Sequence, residues 1–341
     1  MQRFQTIFNK VLKSTFMGLA ILAVAASAIA VPASDALAEW KPKGNVELIP
    51  PGGPGTSMDR TMRLLDATWK SMGVTDFTTA VVNKKGGGQS IAWAYLNKHP
   101  GNSQYLSVTS PTLLIRGITG QTDVSHKGDV VPIALLFDDY SGIVVRDDSP
   151  LKTAKDLVDR LKANPGALNI AVSPGLGTPN HLALSMAMKA AGVDVTALKT
   201  VIFAGSSKAV TAVRGGHVDL SASPTSTARK HLDAGKVRVL AVSAPKRMGG
   251  VYKNVPTWRE LGIDAVFANW RLIIAPKGTS KEQVAYWDKL FAKTVKEDVF
   301  AAGLKKNVWT THYLNSTEAV KFLDSQHAQL KKLLILLGLA N

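Results

Sequence analysis

The chain has 341 residues, of which 45% are hydrophobic and 19% are charged, a composition typical of a globular protein long enough for two domains. It has no cysteine, which excludes disulfides, thiolate catalysis and cysteine-based metal sites. Its formal net charge of +16 favours anionic partners. The basic residues are scattered and lack the aromatic interleaving of nucleic-acid binders, so we expect small organic anions and no nucleic acid as partners.

The N-terminal segment, residues 1–38, has the pattern of a cleavable secretory signal peptide. A basic stretch precedes an apolar run at 16–30, and small residues at 36–38 provide a cleavage point. The apolar run is short for a transmembrane helix, although an uncleaved membrane anchor is the alternative. Because no cysteine follows the cleavage point, lipid attachment is excluded, and we predict a periplasmic protein.

Beyond the signal peptide, predicted strands alternate with predicted helices. This order is typical of an α/β protein whose mostly parallel sheets carry helices on both faces. Residues 265–276 are too long for one ordinary strand and are predicted as a strand pair or a crossing between domains. The other predicted strands are 46–49, 77–83, 105–112, 130–137, 141–146, 168–172, 201–203, 218–223 and 236–242, and the last helices are 280–296 and 316–337.

Six strand-to-helix junctions carry Gly, Ser or Thr. In open parallel sheets, ligands bind beyond the carboxyl ends of the strands. The first N–H groups of a helix lack intrahelical partners, and the helix dipole adds partial positive charge there, so such a junction suits an anion. Two units facing each other would form a cleft lined with amides and hydroxyls. The junctions are 50–59, 83–90, 107–112, 173–181, 204–207 and 221–227.

The candidate ligand-binding residues come from these junctions and from one arginine. Ser and Thr at these positions are helix caps in the alternative interpretation, and His181 is expected to cap or pack rather than act as a base. Asp59 is expected to cap its own helix, because its charge is unfavourable beside an anion. The candidates are Gly53, Pro54, Gly55, Thr56, Ser57, Ser110, Thr112, Ser173, Gly175, Gly177, Thr178, His181, Ser206 and Arg271.

Motifs for catalysis are missing from the sequence, so we predict no enzyme, no cofactor and no metal. The glycines at 86–88 are not followed by the Gly-Lys-Ser/Thr of a phosphate loop, and Asn180 stands where a dinucleotide fingerprint has its third glycine. There is neither a Gly-x-Ser-x-Gly turn nor a His-Glu-x-x-His zinc site. The acidic pairs at 138–139 and 147–148 are predicted to be solvated caps rather than glycosidase carboxylates.

With these segments placed, residues 45–340 resemble the substrate-binding proteins of tripartite tricarboxylate transporters, the TctC or Bug family. Residues 46–63 resemble the family's first strand and Pro-Gly-Gly loop, with Asp59 and Arg63 in its Asp-x-x-x-Arg spacing. The order of the motifs is more specific than any one of them. The other matching segments are 83–88 (Asn-x-x-Gly-x-Gly-Gly), 173–182, 205–220 (Gly-Ser…Gly-Gly-x-Val-Asp) and 232–256 (Ala-Gly-Lys-x-Arg…Val-Pro-Thr).

The resemblance implies a two-domain periplasmic binding protein of the Venus-flytrap, type II-like fold, with crossing strands near 141–146 and 270–275. Domain 1 would contain residues 39–143 and 270–341, and domain 2 residues 144–269. It further implies an organic acid held by the loops at 50–59 and 173–181 and passed to a tripartite tricarboxylate-type membrane permease. We expect a monomer. An exported hydrolase on a related fold and a partner that presents ligand to a membrane sensor are the alternatives.

Two features depart from the family pattern. The first loop, 52–59, is longer than the usual Gly-Gly-x-x-Asp. Arg271 follows Trp270 where many members have a small or apolar residue. An arginine at a domain crossing can clamp a second carboxylate in a bidentate fashion. The alternative is that Arg271 forms a salt bridge at the surface or between the domains.

Overall fold

The computed structural model describes residues 40–341, and the signal peptide predicted at 1–38 lies outside this part of the chain. Residues 40–341 contain ten strands and ten α-helices. No helix within them combines the length and hydropathy needed to cross a lipid bilayer. Within the same range, no group of three His, Cys, Asp or Glu side chains is arranged to hold a metal ion.

The elements follow the predicted order. The strands are β1 (Gly44–Ile49), β2 (Phe77–Val81), β3 (Tyr105–Thr109), β4 (Val130–Arg146), β5 (Ile170–Val172), β6 (Thr200–Ile202), β7 (Leu220–Pro224), β8 (Val237–Val242), β9 (Ala268–Pro276) and β10 (Thr310–Leu314). The helices are α1 (Ser57–Ser71), α2 (Ser90–Leu96), α3 (Thr112–Ile118), α4 (Ala154–Ala163), α5 (Pro179–Ala190), α6 (Ser206–Arg214), α7 (Thr225–Asp233), α8 (Lys281–Thr294), α9 (Asp298–Asn307) and α10 (Ser316–Leu336).

Strand β4 connects two groups of strands because its two ends pair with different neighbours. Residues 130–140 pair with β9, and residues 141–146 pair with β7 and β8. The first group has the order β2-β1-β3-β9-β4, with β10 also on β4, and the second has β4-β7-β5-β6, with β8 also on β4. The strands β2-β1-β3 and β7-β5-β6 are parallel, whereas β4 and β9 run antiparallel to their neighbours. The predicted α/β class is confirmed.

The structure corrects two predictions about these central strands. The segments 130–137 and 141–146 form one continuous strand, and 268–276 form a single strand rather than a pair. Residues 270–275 pair with β3 and with the first part of β4, so they belong to the first group instead of crossing between groups. The domain boundaries proposed from the sequence stay a prediction.

Apolar side chains cover both faces of each group of strands. Around the first group, one cluster contains Trp69 and Trp287, and another contains Trp93 and Trp270. Around the second group, Trp258 belongs to one cluster and Tyr252 to the other. This two-sided burial explains why β4 is apolar along most of its length, as in sheets covered by helices on both faces.

Helix α1 illustrates this packing. Its buried face contains Met62, Leu65 and Trp69, as the helical spacing predicts. The Trp69 ring stacks on Trp287 with 5.9 Å between centroids, and its indole N–H donates to Thr294 Oγ1 at 2.9 Å. The last turn of α1 is therefore anchored to α8, and the buried face of the helix lies against the sheet.

Candidate functional site

A cleft of about 530 Å³ opens where the strand-to-helix loops of the two groups meet. The loops before α1, α2 and α3 form one side, and the loops before α5, α6 and α7 form the other, with the start of β9 between them. Ten of the predicted residues line it. They are Thr56, Ser57, Ser110, Thr112, Ser173, Gly175, Gly177, Thr178, Ser206 and Arg271.

The charges around the cleft are of one sign. Arg116 and Arg271 line it, and no Asp or Glu is among the lining residues in the part of the chain that the structure describes. The helices α1, α5 and α6 begin at the cleft with Ser57, Pro179 and Ser206. Because the first N–H groups of a helix lack intrahelical acceptors and carry the positive end of the dipole, these three starts add to the attraction for an anion.

Size alone does not single out this cleft. A cavity of about 550 Å³ lies between α7, the loop at 245–251 and α9, and it is lined by Arg229, Lys305 and Trp309 among others. No strand-to-helix junction of the second group opens into that cavity. We therefore place the candidate site in the cleft where the junctions converge.

The first loop is held in shape by the carboxylate of Asp59. Asp59 is 2% exposed and accepts hydrogen bonds from Gly55 N–H at 2.8 Å, from Arg63 Nε at 3.0 Å and from Asn83 Nδ2 at 3.0 Å. The helix cap is Thr56, whose Oγ1 accepts from Asp59 N–H at 3.4 Å. The expectation that Asp59 caps the helix is therefore wrong, because its side chain folds back onto the loop and towards Asn83.

Replacing Asp59 with asparagine is expected to lower the free energy of unfolding by about 1–3 kcal/mol at pH 7. Burial tends to raise the pKa of Asp59, but hydrogen bonds from Arg63, Gly55 and Asn83 outweigh it and hold that pKa below its ordinary value. The stabilisation by the Asp59 carboxylate is therefore complete above its unfolded-state pKa of about 3.9. It is lost as the pH falls through the lower folded-state pKa.

Urea titrations of the wild type and Asp59→Asn between pH 3 and 7 measure this effect. The difference in unfolding free energy should be largest at neutral pH and shrink below about pH 4. A difference that grows on acidification would contradict the assigned role of the carboxylate.

The second and third loops are tied together by the side chain of Gln89. Its Nε2 donates to Ser110 Oγ at 2.9 Å, and its Oε1 accepts from Thr109 Oγ1 at 3.1 Å. Ser110 in turn donates to Thr112 Oγ1 at 3.0 Å. The hydroxyls at 110 and 112 therefore line the cleft as one network with Gln89, a residue that sequence reasoning missed although it follows the glycine run at 86–88.

On the opposite wall, hydroxyl and amide groups form a second network. Thr178 Oγ1 donates to Gly175 O at 2.7 Å and closes the loop before α5. Ser173 Oγ and Ser206 Oγ lie 3.0 Å apart, and Asn180 Nδ2 donates to Ser206 Oγ at 3.3 Å. The Asn180 carbonyl oxygen accepts from Ser141 Oγ of β4 at 2.9 Å, so this asparagine connects the cleft to the central strand.

His181 positions the same loop from behind and does not line the cleft. Its Nδ1 accepts from Gly177 N–H at 3.1 Å, and its Nε2 lies 3.5 Å from Ser185 Oγ one turn further along α5. Burial lowers the pKa of His181 to about 4, so the ring is neutral at physiological pH. Gly53, Pro54 and Gly55 also lie outside the cleft lining, so these four residues stay predictions without a place in the cleft wall.

Arg271 is buried at the base of the cleft and is 2% exposed. The donors on its two terminal nitrogens point to protein acceptors, whereas its Nε has no hydrogen-bond partner among the described residues. Nη1 donates to Asn269 O at 2.6 Å, to Asn269 Oδ1 at 2.8 Å and to Trp270 O at 3.0 Å, and Nη2 donates to Ser57 Oγ at 2.9 Å. Nη2 also lies 3.8 Å from Asp139 Oδ2, which accepts from Ser226 Oγ at 2.8 Å. Arg271 thus links β4 and β9 to the first residue of α1.

The prediction that the acidic pair on β4 is solvated is wrong, because both side chains are buried. Asp138 is 5% exposed and Asp139 is 0% exposed. Their partners come from distant parts of the chain, since Asp138 lies 2.9 Å from His312 Nδ1 and Asp139 faces Arg271 and Ser226. Burial raises the pKa of Asp139, and the nearby guanidinium of Arg271 offsets part of that rise.

Comparison with known proteins gives matches along most of the chain. The family described as tripartite tricarboxylate transporter family receptor (TctC) matches residues 70–339. A Cupriavidus necator protein named "UPF0065 protein in gbd 5'region" is 28% identical over 324 residues, which cover 95% of this chain and 96% of that protein.

Solved structures match over a similar extent. A TctC solute-binding protein from Polaromonas, solved without ligand, has a TM-score of 0.71 at 26% identity and covers 86% of this chain and 99% of its own. An R. palustris protein solved with adipate has a TM-score of 0.75 at 22% identity, and the match covers 88% of this chain and 99% of that protein. At that identity, the second likeness concerns the fold alone.

Proposed function

The chain belongs to the tripartite tricarboxylate transporter receptor family, and from this premise we propose that its cleft captures a small organic carboxylate and delivers it to a membrane permease of that transporter type. The family and the periplasmic-binding-protein fold predicted from the sequence are thereby confirmed. Members of the family are periplasmic solute-binding proteins and not enzymes.

The observation that carries the carboxylate proposal is the makeup of the cleft wall. Three helix N-termini and two arginines line the cleft, and no acidic side chain does so among the described residues. Amides and hydroxyls with this arrangement hold a carboxylate through several charge-assisted hydrogen bonds. The R. palustris protein of the same fold was solved with adipate, which supports testing aliphatic acids first.

The geometry does not favour hydrolysis. Among residues 40–341, the histidine found in contact with a serine is His181, and its partner Ser185 is 0% exposed. Neither side chain lines the cleft. A hydrolase needs its nucleophile and base within reach of the substrate, so this pair supports the packing of α5 instead.

The transport step would follow from closure of the cleft. We propose that the two groups of strands move relative to each other about the junction in β4, and that ligand favours the closed state because it contacts both walls. The signal peptide at 1–38, release into the periplasm as a monomer and handover to the permease are parts of the same proposal. The junction in β4, between residues 140 and 141, lies beside Asp139, and the domain division proposed from the sequence falls at 143/144 and 269/270.

Titration calorimetry on the mature chain, residues 39–341, tests the binding proposal. The probes are aliphatic monocarboxylates and dicarboxylates of matched chain length, such as hexanoate and adipate. We expect at least one acid to bind one-to-one with a dissociation constant of micromolar order or lower. A micromolar dissociation constant corresponds to a binding free energy of about −8 kcal/mol. Absence of binding by every acid at millimolar concentration would overturn the proposed function.

A further inference from the structure

Arg116 is a cation in the cleft wall that has no counter-ion in residues 40–341. It lies on α3, half-buried, beside Thr112 and Ile115. Its Nη1 donates to Gln121 Oε1 at 3.0 Å, and its Nη2 donates to Gln121 O at 2.9 Å. None of the ion pairs found in that part of the chain includes Arg116.

Several donors of this guanidinium are still available. An arginine side chain has five N–H donors, and Gln121 accepts from one hydrogen on each of the two terminal nitrogens. The Nε atom is shielded from solvent and has no hydrogen-bond partner among the described residues. Each terminal nitrogen therefore keeps one N–H hydrogen for an acceptor supplied from outside the chain.

The backbone at Gly88 makes room for the guanidinium. A Cβ atom at this position would lie 2.5 Å from Arg116 Nη1. Gly88 also has a φ of +56°, which favours glycine over other residues. The loop before α2 therefore lies directly against the arginine, and both Gly88 and Arg116 line the cleft.

Arg271, the arginine singled out from the sequence, is less suited to the same task. Its Nε also has no partner among the described residues, but its terminal nitrogens already donate to Asn269, Trp270 and Ser57, and the side chain is 2% exposed. A ligand carboxylate would have to displace these contacts. Arg116 makes its two hydrogen bonds to a single surface residue and is more accessible.

We propose that Arg116 binds a second carboxylate of the ligand, so that the cleft selects dicarboxylates over monocarboxylates of the same chain length. The inference rests on the proposed function, in which the first carboxylate is held by the helix N-termini. A guanidinium recognises a carboxylate in a bidentate fashion, and a monocarboxylate would leave that charge unpaired. Arg116 is then the residue that determines specificity at the far end of the ligand.

The test compares Arg116→Met with the wild type in titrations with adipate and hexanoate. The substitution keeps an unbranched side chain and removes the charge and the donors. We expect adipate binding to weaken by roughly 10- to 100-fold and hexanoate binding to change by less than about threefold. Arg116→Lys keeps the positive charge but lacks the paired N–H donors of the planar guanidinium, and it is expected to retain part of the preference for adipate.

Arg160→Met is the matched control because it removes the same charge from an exposed position on α4 outside the cleft. We expect no change in the preference for adipate in that variant, and melting curves should show that all variants fold. If Arg116→Met weakens the binding of both acids equally, or of neither, the proposed role of Arg116 is overturned and the proposed function stays intact. Absence of binding by every acid in the titrations of the wild type would overturn both proposals.

Discussion

Replacing Arg271 with alanine is expected to lower the free energy of unfolding by about 3–5 kcal/mol. Arg271 is 2% exposed, and its removal leaves the fully buried carboxylate of Asp139 without the nearby cation. It also removes donors from Asn269 and from Ser57 at the start of α1. Breaking a buried ion pair by deleting one partner costs more than the pair itself contributes, because a charge stays buried and uncompensated.

Urea unfolding at several pH values measures this effect. Burial raises the pKa of Asp139, and loss of the arginine is expected to raise it further. In the variant, the ionised Asp139 carboxylate lowers the free energy of unfolding by its full amount above its folded-state pKa. This loss becomes smaller as the pH falls below that pKa, because the carboxyl group is then protonated in the folded protein. The deficit in unfolding free energy relative to the wild type should therefore shrink as the pH is lowered.

A double variant separates the charge effect from loss of packing. In Asp139→Leu with Arg271→Met, apolar side chains replace both charges, and such replacements are often nearly neutral. We expect the double variant to be more stable than Arg271→Ala. A loss below about 1 kcal/mol in Arg271→Ala would contradict the view that this arginine holds the base of the cleft together.

Replacing Ser206 with aspartate is expected to weaken carboxylate binding by roughly 10- to 1,000-fold. Ser206 is the first residue of α6, lines the cleft and contacts Ser173 and Asn180. Two like charges about 4 Å apart repel by roughly 1 kcal/mol in water and by roughly 4 kcal/mol near a protein surface, where the effective dielectric constant is lower. An acidic residue in the first turn is favourable for the helix itself, so the fold should be retained.

Ser207→Asp is the control for this experiment. Ser207 is the next residue of α6, is exposed and does not line the cleft. We expect a change in affinity of less than about threefold, because a solvent-exposed charge further from the ligand is screened. If Ser206→Asp and Ser207→Asp weaken binding equally, the carboxylate does not bind where the start of α6 faces the cleft.

The convergence of the loops could be predicted from the sequence because it follows from local patterns. Apolar strands ending in Gly, Ser or Thr, followed by helical periodicity, mark the carboxyl ends of parallel strands, and these ends share one edge of a sheet. The loops at 50–59, 107–112 and 173–181 therefore line one cleft. The buried face of α1 follows from the same patterns.

The polar contacts between distant segments could not be predicted in this way. Asp138 and Asp139 resemble a solvated turn in the sequence, and their burial depends on His312 and Ser226, which lie 174 and 87 residues away. Arg116 belongs to a short helix with no motif, and its place in the cleft depends on the backbone at Gly88. Such partners are brought together by the folded topology and leave no local signal.

A crystal structure of the protein with the acid that binds most tightly in the titrations would show whether the helix N-termini hold the carboxylate. We expect a carboxylate at hydrogen-bond distance, about 3 Å, from N–H groups at the starts of α1 and α5. We also expect the ligand to contact both walls of the cleft. An acid bound instead in the cavity between α7 and α9, with the cleft empty, would contradict binding at the helix N-termini.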